Sequence, residues 1–166
     1  ARVVVFTQYD EVQQSVVQTL YREELKHYTI FSFNKQTPVA VRHRLIREFQ
    51  SPSANKGAAV CIATYQTAAV GITLTAASKV ILMEPCLDPS LEAQAAGRIH
   101  RLGQQKEVLI RRFAYKGTVE EAIVDVHAAQ RSGTLSVREM QDCGGARSVT
   151  RNNSVKGVPS QVLEAF

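Results

Sequence analysis

The chain has 166 residues, enough for one domain with a substantial core, and its 45% apolar and 21% charged residues match an ordinary soluble globular protein. A formal net charge of +5 favours polyanionic partners without naming one. Cys61, Cys86 and Cys143 are odd in number, widely spaced and free of any C-x-x-C pair, which argues against a zinc site or a disulfide framework and fits a reducing compartment. No apolar run approaches membrane-spanning length, so no membrane partner is expected.

In chain order, Arg2–Thr7 (RVVVFT) is a β-branched run of the kind that forms a buried parallel strand, and Ala1 directly before it suggests a piece cut from something longer. Asp10 with Gln13 has the pattern of a capping box, and Val12, Val16 and Leu20 then repeat every four residues as a core-facing stripe. Tyr28–Phe33 reads as a second strand. Pro38 starts the next helix, with Val41, Leu45 and Phe49 inward and Arg42, His43, Arg44 and Arg47 outward. Residues 51–57 read as a polar loop, and residues 58–63 and 79–83 as two further strands. The stretch between those strands, TYQTAAVGITLTAAS, is too polar and small-residue-rich for a plain core element.

Asp88-Pro89 opens a helix that leads into Arg98, residues 107–115 form a fifth strand, and Thr118 with Glu121 caps a last helix to about Ala129. Strands alternating with helices predict an α/β fold, a parallel sheet covered by helices on both faces, with ligands at the edge where the strand-following loops gather. The domain is expected over residues 1–131. Residues 132–157 carry turn formers without apolar periodicity and read as flexible loop or linker, and residues 158–166 as a short C-terminal helix.

The most informative stretch is QAAGRIHRLGQ, residues 94–104. Gln94, Arg98 and Arg101 are spaced to share one helical face, and an amide with two guanidinium forks suits a polyanion such as a nucleoside triphosphate. From Arg98 to Lys116 there are six basic residues against one acid, Glu107. Nowhere does the chain carry a G-x-x-x-x-G-K-[ST] phosphate loop or a D-E-x-H magnesium motif. A chain without either is expected to be inactive in nucleoside triphosphate hydrolysis on its own.

These residues resemble the last motif of superfamily 2 helicases, Q-x-x-G-R-x-x-R, in the H-R-x-G-Q extended form of SWI/SNF-type chromatin remodellers. Four further blocks are similar to the second motor lobe of that family: RVVVFTQYD, RHRLIREF, ATYQTAAVGITLTAASKVILMEP and GTVEEAI. The resemblance covers roughly three quarters of the chain and implies a RecA-like lobe of the P-loop NTPase type. It further implies that Arg98 and Arg101 are arginine fingers for ATP, with Gln94 and Gly71 on the nucleotide side. Thr64 and Gln66, and Arg42 as a third candidate, would meet nucleic-acid phosphates. Gly71 serves either through close backbone approach or through a positive φ. His100 is expected to be structural and Cys61 a buried apolar residue.

The implied partners are double-stranded DNA, the N-terminal helicase lobe of the same polypeptide, which would hold ATP and its magnesium, and nucleosomes, in the nucleus. A strand-separating helicase on RNA or DNA and a catalytically silent interaction domain are the alternatives. The sequence departs from the family at Ala68-Ala69, where a glycine pair is usual and where less dihedral freedom would weaken nucleic-acid contact or coupling. Glu84 replaces an aspartate, and Gly97 stands where an acid is common, which marks a divergent branch.

Overall fold

The computed structural model describes residues 1–22, 28–51, 57–69 and 71–132. Cys143 and the expected loop and C-terminal helix after Ser132 lie outside the described residues. Five strands, β1 (Arg2–Thr7), β2 (Tyr28–Phe33), β3 (Ala58–Thr64), β4 (Lys79–Leu82) and β5 (Leu109–Arg112), make one sheet in the order β2-β3-β1-β4-β5. Every pairing is parallel. The helices are α1 (Asp10–Arg22), α2 (Val39–Gln50), α3 (Tyr65–Ala69), α4 (Pro89–Ala96) and α5 (Val119–Arg131).

Strand order decides which face each helix covers. The crossover from β1 to β2 runs one way along the sheet, and those from β2 to β3, β3 to β4 and β4 to β5 run the other. Right-handed crossovers therefore put α1 on one face and α2, α3 and α4 on the opposite one. The strand-following segments meet along the carboxyl edge, where open α/β sheets bind ligands. This is the RecA-like arrangement expected from the pattern.

The core is apolar and lies along β1 and β3. Val4, Phe6, Cys61 and Ala63 are fully buried; Phe6 stacks on Tyr65 with ring centroids 6.0 Å apart, and Phe31 meets Phe49 edge to face at 5.6 Å. Burial pushes the Cys61 thiol far up, as befits a small apolar residue there.

Three local expectations need correction. Asp10 is the first residue of α1 rather than its cap, and Gln13 closes no capping box. Gln13 is buried, and its Nε2 donates to Ser32 Oγ, Phe33 O and Ile62 O at 3.1, 2.9 and 3.0 Å, tying α1 to β2 and β3. Arg42 does not face outward. It is buried, and its Nη2 donates to the carbonyls of Asn34, Lys35 and Thr37, so the turn entering α2 holds it. β5 is four residues long and not nine, because the chain around it leaves the sheet edge early.

The two later helix starts form as read. Asp88 caps α4 by accepting from Ser90 N at 2.8 Å, with Pro89 in the first turn, and the Ser90 hydroxyl together with that backbone N–H holds the Asp88 carboxyl below its usual range. Thr118 caps α5, although Glu121 returns to Gly117 N rather than to Thr118.

Candidate nucleotide and nucleic-acid faces

The arginine segment begins where α4 stops. Gly97 N still bonds to Ala93 O, but Arg98 N and Ile99 N turn to Ala95 O and Ala96 O, and the chain leaves the helix in tight turns. Gln94, Arg98 and Arg101 therefore do not share a helical face. Gln94 stays exposed on α4, and its side chain makes no hydrogen bond among the described residues. The break accompanies burial of an apolar side chain: Ile99 is fully buried beneath the turn.

Both arginines reach the segment that returns from β3 to β4. Arg98 Nε donates to Ala68 O at 2.7 Å and Nη2 to Ala69 O at 3.2 Å, closing the carboxyl end of α3. Arg101 Nη1 donates to Thr73 Oγ1 at 2.9 Å. Between these two attachments lies exposed Gly71 at φ +79, with nothing near a prospective Cβ. The positive φ, rather than close packing, is what needs glycine there. A cavity of about 450 Å³ beside it is lined by His43, Ile46, Arg47, Gln50 and residues 71–73.

The same segment is held by residues that the sequence reading left without a role. Gln104 Nε2 donates to Thr75 O and Ala77 O at 3.0 and 2.7 Å, and its Oε1 accepts from Lys106 N. Gln50 of α2 donates to Thr75 Oγ1 and accepts from Ala76 N at 2.7 Å. Leu74 N bonds to Arg98 O. The final glutamine of H-R-x-G-Q was the available signal for Gln104; nothing in the pattern marked Gln50. The residues differ in commitment: Arg98 uses two donors on backbone carbonyls, whereas Arg101 has a single bond to one hydroxyl. Arg101 is the more readily redirected fork.

At the carboxyl edge, the phosphate candidates separate. Thr64 is buried and its hydroxyl bonds to Thr67 Oγ1 at 2.8 Å, so its side chain does not face a ligand as expected. Gln66 is exposed on α3. Arg42 is held elsewhere, as described. Ala68 and Ala69 adopt the helix α3, so the loss of glycine freedom there is accommodated and both carbonyls remain available to Arg98.

Glu84, just past β4, accepts from Thr7 Oγ1 at 2.7 Å and from Gln8 N, and its burial raises its carboxyl above the usual range. Tyr65 OH donates to Glu84 O at 3.0 Å. A second buried acid, Glu92 of α4, pairs with Arg112 and accepts from Cys86 N at 2.7 Å, with His127 Nδ1 3.9 Å away. That cluster ties α4 to β5 and α5.

A parallel RecA-like sheet, with paired arginines on a pinned turn beside a left-handed glycine, defines the carboxyl-terminal lobe of a helicase-type motor. The chain belongs to that family: the helicase conserved C-terminal domain matches residues 1–103. It is 43% identical over 103 residues to the DNA repair protein RAD5A of Arabidopsis thaliana, covering 60% of this chain and 10% of that protein. It is 34% identical over 155 residues to an uncharacterized ATP-dependent helicase of Mycoplasma genitalium, covering 93% of this chain and 14% of that protein. Among solved structures, the C-terminal part of the Fun30 ATPase domain matches with a TM-score of 0.67 at 28% identity, over 75% of this chain and 38% of that one. Together these place the chain as the second lobe of a SWI/SNF-type superfamily 2 ATPase. It spans about a tenth of the length of the curated relatives it matches.

Proposed function

We propose that this lobe is the second half of an ATP-dependent double-stranded-DNA translocase, acting in DNA repair or chromatin remodelling in the nucleus, with nucleosomal DNA among its substrates. The observation that carries this reading is Arg101, held by a single bond to Thr73 on a turn pinned from both sides. ATP and magnesium would sit on an N-terminal lobe of the same polypeptide. There the triphosphate supplies the transferable phosphoryl group. Arg101 exchanges Thr73 for the phosphoryl oxygens as charge shifts onto them, and the fork stabilises that charge more than it does the ground state. Arg98 holds the end of α3 and presents its remaining donors to the same space. Gly71 brings bare backbone to the nucleotide side. Gln66 and the exposed carboxyl edge meet DNA phosphates, which carry no sequence information.

The test uses the polypeptide that carries both lobes. Arg101→Ala lowers DNA-stimulated ATP turnover by about 10³-fold or more, with DNA affinity and melting temperature unchanged. Lysine at 101 does not restore turnover, because a point charge lacks the planar fork. Arg98→Ala also lowers turnover but destabilises the lobe by about 1–2 kcal/mol, because Ala68 and Ala69 lose their donors. The 166-residue chain alone shows no turnover. An Arg101→Ala enzyme working within about threefold of wild type would sink the reading.

A further inference from the structure

Gln50, the last residue of α2, commits both ends of its amide to a segment 25 residues further along the chain. Its Nε2 donates to Thr75 Oγ1 at 3.2 Å, and its Oε1 accepts from Ala76 N at 2.7 Å. Thr75 and Ala76 are the two central residues of a tight turn, closed by Ala77 N on Leu74 O at 3.1 Å. Leu74 and Ala77, the ends of that turn, are fully buried. The turn therefore has its own closing bond and its own apolar anchors, and neither needs Gln50.

Gln50 fixes instead the position of α2 against this segment. Ahead of the turn, residues 71–73 face α2 across the cavity of about 450 Å³ lined by His43, Ile46, Arg47 and Gln50, so open space rather than packing separates them there. Among the described residues, no other hydrogen bond joins α2 to residues 71–77. On its other side the turn meets the arginine segment. Gln104 holds Thr75 O and Ala77 O, Gln104 N donates to Arg101 O, and Arg101 reaches Thr73. Thr75 is thus gripped by α2 through its hydroxyl and by the arginine turn through its carbonyl.

We propose that Gln50 is a positioning residue for ATP hydrolysis: by fixing the return segment against α2, it sets where the Arg101 fork stands before it leaves Thr73 for the phosphoryl oxygens. This rests on the translocase reading and deepens it. Neither Gln50 bond involves nucleotide, so losing them spares ATP binding and costs turnover, in which a displacement of about 1 Å can lower the rate by about 10²-fold.

The experiment compares Gln50→Ala, Gln50→Glu and Thr75→Val with wild type and Arg101→Ala in the two-lobe polypeptide. Val4→Ala, a truncation in the middle of the sheet, is the control for stability alone. The readouts are kcat and KM for ATP, duplex affinity and melting temperature. Gln50→Ala should lower kcat by about tenfold, with KM and duplex affinity within about twofold of wild type. Its melting temperature should fall by a few degrees. Val4→Ala should lose at least as much melting temperature and keep its kcat. Gln50→Glu should restore turnover, since a carboxylate accepts from both Ala76 N and the Thr75 hydroxyl. Thr75→Val keeps the bond from Ala76 N and should fall between Gln50→Ala and wild type; it carries the test if Gln50→Ala does not fold. A Gln50→Ala enzyme with kcat within about twofold of wild type, beside an inactive Arg101→Ala, would overturn this proposal alone. So would an equal loss of kcat in Val4→Ala, which would make the effect one of stability, or a Gln50→Glu enzyme as slow as Gln50→Ala. An active Arg101→Ala would overturn the translocase reading beneath it.

Discussion

The centre of the sheet and the return segment from β3 to β4 are held by opposite means. Along β1 and β3, Val4, Phe6, Cys61 and Ala63 exclude water entirely, and stability there comes from apolar burial that has no preferred direction. Residues 71–77 have little such burial beyond Ile72, Leu74 and Ala77. They are fixed instead by the side chains of Gln50, Arg101 and Gln104 on backbone and hydroxyl oxygens, and by the bond from Leu74 N to Arg98 O. A core built by packing tolerates no rearrangement without leaving a cavity. A segment held by directional bonds at its margins can exchange one partner for another, and the nucleotide side of a motor has to do that in every cycle.

The comparison breaks most visibly at its apolar end. Phe6→Ala removes a ring buried at the middle of the sheet and stacked on Tyr65, and should cost about 3–5 kcal/mol. Chemical denaturation of the chain measures it. A loss under about 1 kcal/mol would mean that the centre collapses onto the gap and is less tightly packed than described.

At the polar end, Gln104→Ala strips donors from Thr75 O and Ala77 O and should cost about 1–3 kcal/mol. The loss should be local. Amide exchange should accelerate across residues 71–78 while the amides of β1 and β3 keep their protection. Uniform acceleration across the sheet would show that the clamp and the core unfold together, erasing the contrast.

The smallest effect concerns Glu84, which joins the ends of β1 and β4 with a buried carboxylate. Burial raises its folded-state value above that of the unfolded chain, so the folded protein binds this proton more tightly. Its favourable contribution is complete below the ordinary glutamate value and is lost as pH rises through the raised one. Glu84→Gln keeps an oxygen for Thr7 Oγ1 and Gln8 N and removes the buried charge. At neutral pH the variant should be more stable than wild type by about 1 kcal/mol or less, with the gap closing as pH falls into the carboxylate range. Melting curves at pH 4 to 7 check the sign. A variant less stable at neutral pH would mean that the charged form contributes strength to those two bonds that outweighs its desolvation.

What could be read from the sequence follows the same division. Apolar periodicity located all five strands, because strand burial is a property of consecutive residues and leaves a pattern. The helices at Asp88-Pro89 and Thr118 were legible for the same reason: a cap and its acceptor are neighbours in the chain. The polar attachments were not. Gln13 looked like part of a cap yet bridges two strands, and Arg42 looked solvated yet closes the turn before its own helix. Thr64 stood at the right strand end but turns inward to Thr67. α3 was hidden because small residues do not show the apolar repeat of a helix, although Tyr65, Thr67 and Ala68 are buried. A hydrogen bond across the fold is decided by where two distant segments meet, and periodicity does not record that.

The place of β1 in the sheet has a consequence for how the molecule comes into being. Of the five strands of this sheet, the earliest in the chain lies in the middle, with Phe6 opposite Ala63 on one side and Leu82 on the other. Its second edge cannot be paired until β4 has been made, so ordering waits on contacts far apart in the chain, the kind that slow folding most. A ribosome paused between β3 and β4 would expose a chain whose Val3, Val4 and Val5 are paired on one side only. An unpaired β-branched edge is a template for the wrong partner. Between synthesis of β3 and of β4 the lobe therefore carries an open edge at the centre of its sheet, a surface for a chaperone to cover.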